Sequence, residues 1–152
     1  MTATLSGMTI TGGTGDNGGG LLNQGTADLI DVTINGNSAV FGGGVMKYHG
    51  SANLTNVTIS GNSAEFGGGL FTENATAELT DVTVSGNSGS NEGGGMYNSG
   101  GSHITLIDTI VAGNANGDVR NFAKTYGGIA VTGNYNLIGD GTGQSGLGFK
   151  LP

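Results

Sequence analysis

The chain has 152 residues, enough for one domain, and its 34 glycines, single terminal proline and absence of cysteine and tryptophan exclude a disulfide framework or a cysteine-held zinc site. A net charge of −7, with Lys47, Arg120, Lys124 and Lys150 as the only Lys and Arg side chains, excludes a phosphate-tracking groove for nucleic acid and a basic surface for anionic lipid. No run approaches the roughly 18 apolar residues of a membrane span, and the opening MTATLSGMTITGG lacks the basic and apolar blocks of a signal peptide.

Hydrophobic residues nevertheless make up 35% and recur at fixed positions. Taken along the chain, five segments align: LSGMTITGG from Leu5, LIDVTINGN from Leu29, LTNVTISGN from Leu54, LTDVTVSGN from Leu79 and LIDTIVAGN from Leu106. Their leucines are 24, 25, 25 and 27 residues apart. A glycine triplet followed by an apolar residue keeps the same step, ending in Leu21, Val45, Leu70 and Met96. Two markers locked to one period identify a repeat architecture.

Each unit reads as strand. Val32/Ile34, Val57/Ile59 and Val82/Val84 alternate with Thr33, Thr58 and Thr83, a period of two rich in β-branched residues. The leucine lies three residues before the first valine, which predicts a corner with Asp31 at the bend; a second corner is expected at Gly36–Asn37. One such coil cannot bury its apolar edge, so coils must stack, at about 4.8 Å each. The predicted fold is a right-handed parallel β-helix of five to six coils, about 25 residues per coil, with regular coils over 1–115 and an irregular final coil or cap over 116–152.

Stacking turns equivalent positions into columns. The expected interior columns are Leu5/Leu29/Leu54/Leu79/Leu106, Met8/Val32/Val57/Val82, Ile10/Ile34/Ile59/Val84/Val111 and Leu21/Val45/Leu70/Met96. Asn37, Asn62, Asn87 and Asn114 fall in register at the second corner, which predicts a structural ladder of side-chain amides. From about Asn116 the period is lost; short strand-like pieces remain at 128–131 and 136–138, and the N-terminal coil carries no evident cap. Open strand edges at such an end suggest a longer parent chain or end-to-end self-association.

The IxGN and VxGN corners alternating with GGGV, GGGL and GGGM resemble the repeat of bacterial polymorphic outer-membrane proteins, with Ile or Val in place of the family's Phe and a third Gly in place of its Ala. The stretches 109–114 and 134–143 are similar to bacterial secreted repeat proteins with a choice-of-anchor Q domain. Over residues 5–143 the resemblance implies a parallel β-helix displayed on or released from a bacterial cell, with adhesive or structural roles, and it supplies no catalytic residues. No autotransporter barrel is present in the chain to support self-export.

Several motifs invite chemistry. GTGDNG at 13–18 and GTGQSG at 141–146 satisfy GxGxxG, but neither is followed by a helical pattern to hold a pyrophosphate. GGTGD at 12–16 is similar to a calcium-binding nonapeptide, with its aspartate one position early and no repetition. In the corner column Gly7/Asp31/Asn56/Asp81/Asp108, the carboxylates of Asp81 and Asp108 are candidates for a shared cation or for paired acid–base work on a glycan; as turn residues they equally cap the bend. His49 and His103 lie in Gly/Ser-rich segments, outside that column, and read as exposed loop residues. Outward-facing Thr9, Thr33, Thr58 and Thr83, with Thr11, Asn35, Ser60 and Ser85 beside them, form two files of small polar groups, a face for adhesion or ice binding. Three glycosylation sequons, at Asn53, Asn56 and Asn74, carry no weight in a bacterial protein. The leading expectation is a non-catalytic extracellular scaffold that needs no cofactor: an adhesin passenger or filament-forming surface element whose partners are surface glycans, host proteins or further copies of itself. The alternatives are a polysaccharide lyase or glycosidase fragment and an ice-binding solenoid.

Overall fold

The computed structural model describes residues 2–122 and 130–139, and every element in them is a β-strand. Four parallel sheets run the length of the molecule and the chain visits them in turn, which makes a parallel β-solenoid. Face A comprises Thr2–Ser6, Thr26–Ile30, Ser51–Thr55, Thr76–Thr80, His103–Ile107 and Ala130–Asn134. Face B comprises Thr9–Thr11, Thr33–Asn35, Thr58–Ser60, Thr83–Ser85, Ile110–Ala112 and Leu137–Ile138. Face C is the shortest, with Thr14–Asn17, Ser38–Phe41, Ser63–Phe66 and Ser88–Glu92, and face D holds Leu21–Asn23, Val45–Tyr48, Leu70–Glu73, Met96–Ser99 and Val119–Asn121.

The corners explain why these residues sit where they do. Between faces A and B the turning residue is left-handed in every described coil: Gly7, Asp31, Asn56, Asp81, Asp108 and Tyr135 have φ between 49° and 61°. Asp and Asn tolerate that region better than other side-chain-bearing residues, because a short polar side chain can bond locally. Between B and C the same role falls to Gly36, Gly61, Gly86 and Gly113. The glycine triplets occupy the tight bend between C and D, where successive coils approach through backbone alone. A Cβ on Gly43 would lie 2.3 Å from the Ser63 carbonyl oxygen and 2.6 Å from that of Gly68. Between D and A, His49 and Asn74 take positive φ and Gly100 follows them.

The predicted columns form one continuous core, with an addition the repeat pattern leaves inconspicuous: Ala27, Ala52, Ala77, Ile104 and Val131 line face A beside the leucines. Met8 departs from expectation and is 44% exposed. Its coil supplies the edge strand of all four sheets, so one side of Met8 has no stacked neighbour among the described residues.

Strand pairing continues past Asn116, where the sequence markers fade. Val119–Asn121 pairs in register with Met96–Ser99, Ala130–Asn134 with His103–Ile107, and Leu137–Ile138 with Ile110–Ala112. What disappears is one strand of face C: Asn87 precedes Met96 by nine residues, whereas Asn114 precedes Val119 by five, leaving a single bridge between Ser88 and Ala115. The following segment is longer by a compensating amount, so a lost strand masks a retained coil. The second GxGxxG, Lys124, Lys150, positions 128 and 129 of the first strand-like piece and 140–143 of the Q-domain-like stretch lie outside the described residues.

Candidate functional site

The asparagine ladder forms as predicted. Asn37, Asn62 and Asn87 are buried, and each Nδ2 donates to the Oδ1 of the asparagine one coil on, at 3.0 Å throughout. The same Oδ1 also accepts the backbone N–H of the preceding asparagine, while the second Nδ2 hydrogen reaches back to the carbonyl of Ile10, Ile34 or Ile59. The ladder has a polarity, and Asp118 closes it: its buried Oδ1 accepts Asn114 N at 2.9 Å and Nδ2 at 2.8 Å. A carboxylate suits that end because it needs to accept and has nothing to donate onward. The Val32/Val57/Val82 column also ends in polar groups. Thr109 and Asn136 follow it, with Asn136 Oδ1 accepting Thr109 N and Asn136 Nδ2 donating to the Leu106 carbonyl.

A second interior polar column runs under face D through Asn23, Lys47, Thr72, Asn98 and Asn121. Thr72 Oγ1 donates to Asn98 Oδ1, and Asn98 Nδ2 to Asn121 Oδ1 at 3.1 Å. Lys47 is inside the solenoid, 1% exposed, with its Nζ donating to Asn23 Oδ1 and the Gly25 carbonyl. Burial holds its pKa below the ordinary lysine value, since the ammonium there has lost its water.

The candidate acid–base pair is placed where the sequence puts it, and neither side chain makes a hydrogen bond or ion pair among the described residues. Asp81 and Asp108 are exposed at the A–B corner, with φ of 55° and 49°. One coil-step earlier the column is tied by Asn56 Nδ2 donating to Asp31 Oδ1 at 2.7 Å. No group of three or more metal-ligating side chains occurs among the described residues. His103 opens a strand at the far end of face A from Asp108, so it is a strand residue and not the loop residue expected; His49 is an exposed corner residue. The threonine file Thr9, Thr33, Thr58 and Thr83 is in register on face B, with Thr9 and Thr58 exposed and the other two half-buried. It continues into Ile110 and Leu137, each 42% exposed, so the face turns apolar toward its C-terminal end.

The most elaborate exterior feature lies elsewhere, on the outer side of the C–D bend. Two columns meet there in register: Asn17/Phe41/Phe66/Glu92 and Leu22/Met46/Phe71/Tyr97/Arg120. Phe41 stacks on Phe66 at 5.5 Å and 11°, and Phe71 on Tyr97 at 5.1 Å and 3°. The two stacks contact each other edge to face, Phe41 with Phe71 at 5.3 Å and Phe66 with Tyr97 at 5.5 Å. These are favoured geometries for ring quadrupoles, and they build a small second core outside the main one. On its C-terminal side the stack meets Phe122, 6.4 Å from Tyr97 at 20°, and an ion pair, Arg120 Nε to Glu92 at 3.1 Å. Burial, with the Glu92 carboxylate adding and Arg120 opposing, raises the Tyr97 phenol above its usual pKa.

On its N-terminal side the stack stops at a recess of about 260 Å³. Phe41, Met46 and Leu22 wall it, and Tyr48 and Glu73 flank it. Glu73 also borders a shallower groove along Phe66, Tyr97 and Phe122. Sequence reasoning missed this feature although its signal was there: Phe41 and Phe66 each immediately precede a glycine triplet, and Met46, Phe71 and Tyr97 each follow the apolar residue after it.

No family model matches the chain, and no match to it was found among curated proteins or solved structures.

Proposed function

We propose that this protein is a non-catalytic β-solenoid scaffold, displayed outside a bacterial cell, whose work is structural or adhesive. The observation that carries the reading is how completely the interior polar groups are spent on holding coils together. The asparagines of the ladder, Asp118, Thr109, Asn136, Thr72, Asn98 and Lys47 all bond within the stack. The one pair of carboxylates considered for catalysis, Asp81 and Asp108, faces solvent at a corner whose left-handed backbone itself calls for Asp or Asn. A glycosidase or lyase needs an acid and a base held in differing surroundings, and neither histidine shares that corner. The surface reading rests on the sparse charge, the Thr-, Ser- and Asn-rich exterior and the resemblance to secreted bacterial repeats.

The test is turnover against a panel of neutral and acidic polysaccharides, followed by reducing ends and by unsaturated uronate absorbance. The expected outcome is no cleavage by the native chain. Cleavage that vanishes in the Asp81→Ala/Asp108→Ala variant would establish the enzymatic alternative in its place. Thermal hysteresis abolished by Thr33→Tyr/Thr58→Tyr would do the same for ice binding.

A further inference from the structure

The recess beside Phe41 has features a passive scaffold does not require. Phe66 stacks on one side of Phe41, the register places Asn17, not a ring, on the other, and both Phe41 and Asn17 line the recess. Met46 and Leu22 extend the apolar wall, and Tyr48 adds a second ring. At the rim stands Glu73, half-buried, whose carboxylate makes no ion pair or hydrogen bond among the described residues. Glu92, which closes a face C strand at the other end of the aromatic stack, is by contrast paired with Arg120. Among the described residues, no lysine, arginine or histidine lines the recess.

These features select a ligand by charge and shape. An anion would meet Glu73 with no compensating cation. A neutral apolar group would strip water from Glu73 and return nothing, which is costly for an ionised carboxylate. A compact organic cation satisfies both halves of the site: its charge faces the carboxylate and the negative ring face of Phe41, and its alkyl groups fill the apolar wall. At about 260 Å³, the recess falls just under the range of drug-sized sites, about 300–1,000 Å³, which suits a ligand of a few heavy atoms. A chain of net charge −7 also draws cations toward its surface.

We propose that this recess binds an alkylammonium group, with Glu73 as counter-ion and Phe41 and Tyr48 as the aromatic walls. The inference goes beyond the scaffold reading and survives its failure, since Asp81 and Asp108 lie at a different corner of the solenoid.

The probe is choline, titrated into the isotopically labelled protein, with its neutral isostere 3,3-dimethyl-1-butanol as control. Choline should shift the resonances of Phe41, Met46, Tyr48 and Glu73 saturably, and the isostere should shift them more weakly. Glu73→Gln keeps the shape and removes the charge, and is expected to weaken choline binding by about tenfold or more. Phe41→Leu should weaken it with Glu73 intact, and unchanged melting temperatures would show that both variants are folded. Cosedimentation with phosphatidylcholine vesicles, set against binding of free choline, separates a lipid head group from a soluble amine as the source. Binding in either arm that Glu73→Gln abolishes or weakens supports the site. Equal shifts from choline and its isostere, an unaltered affinity in Glu73→Gln, or no binding in either arm would overturn it.

Discussion

Gly61 and Gly68 lie seven residues apart in one coil and are both invariant positions of the internal repeat, yet different forces hold them. Gly61 turns the B–C corner at φ 62° with nothing within 4 Å of a would-be Cβ. A side chain there meets only backbone strain, about 1–2 kcal/mol. Gly68 has no unusual φ, but a Cβ on it would lie 2.3 Å from the Ser88 carbonyl oxygen, an approach that forces the coils apart. Gly68→Ala should therefore destabilise the fold more than Gly61→Ala, by about 3 kcal/mol or more in total, at the upper end of the scale of overpacked cores, as read from denaturant midpoints of the two variants. Both glycines were visible as turn signals in the sequence. Which of them answers to φ and which to a neighbouring coil was not, because the second depends on atoms 20 residues away (Ser88 against Gly68).

Lys47 and Tyr97 give the residue scale a pH signature with two opposing parts. Burial lowers the folded pKa of Lys47 below that of an unfolded lysine, about 10.4. Between the two values the unfolded chain binds the proton more tightly, so stability rises with pH up to about 10.4 and is lost as pH falls through the folded value. Tyr97 is raised above about 10, so the unfolded phenol ionises first and stability falls as pH climbs past that point. Chemical unfolding from pH 8 to 11 should show Lys47→Met without the rising component and Tyr97→Phe without the falling one. Lys47 stood in the sequence only as one of four scattered basic residues; its interior position follows from its place after Val45 and Met46, in a column otherwise filled by asparagine and threonine.

At the scale of elements, the shortened fifth coil shows how a repeat can persist while its sequence signature fades. The strand of face C between Asn114 and Val119 is gone, yet faces D, A and B go on pairing in register. Asp118 makes the omission tolerable: with the next ladder asparagine missing, it supplies the acceptor that Asn114 requires. Asp118→Asn retains an acceptor oxygen but buries an amide donor with nothing to receive it, and should lower the unfolding midpoint less than loss of the acceptor does. Asp118→Ala leaves two donors of Asn114 without a partner at the end of a buried ladder, and should cost about 1–3 kcal/mol, measured by denaturant unfolding. The four regular coils were legible because leucine, valine and glycine markers recur together. The fifth was not legible past Asn114, since its glycine-triplet marker belongs to the segment that shortened. The aromatic stack was missed for another reason: alternation assigns outward residues to solvent, and only the C–D bend brings two outward columns face to face.

For the molecule as a whole, stability is carried between neighbouring coils, so it should behave as a chain of nearest-neighbour couplings. The interior is held as a set of in-register ladders, an arrangement that couples each coil to the next. Native-state hydrogen exchange tests it most directly, because the backbone amides of Asn37, Asn62 and Asn87 donate to side-chain Oδ1 atoms and lie buried. These three amides should be among the slowest to exchange, and the Asn37 amide should lose that protection in Asn62→Ala, which removes its acceptor. Rapid exchange of the three in the native protein, or protection of Asn37 undiminished in the variant, would contradict the ladder and the scaffold built on it.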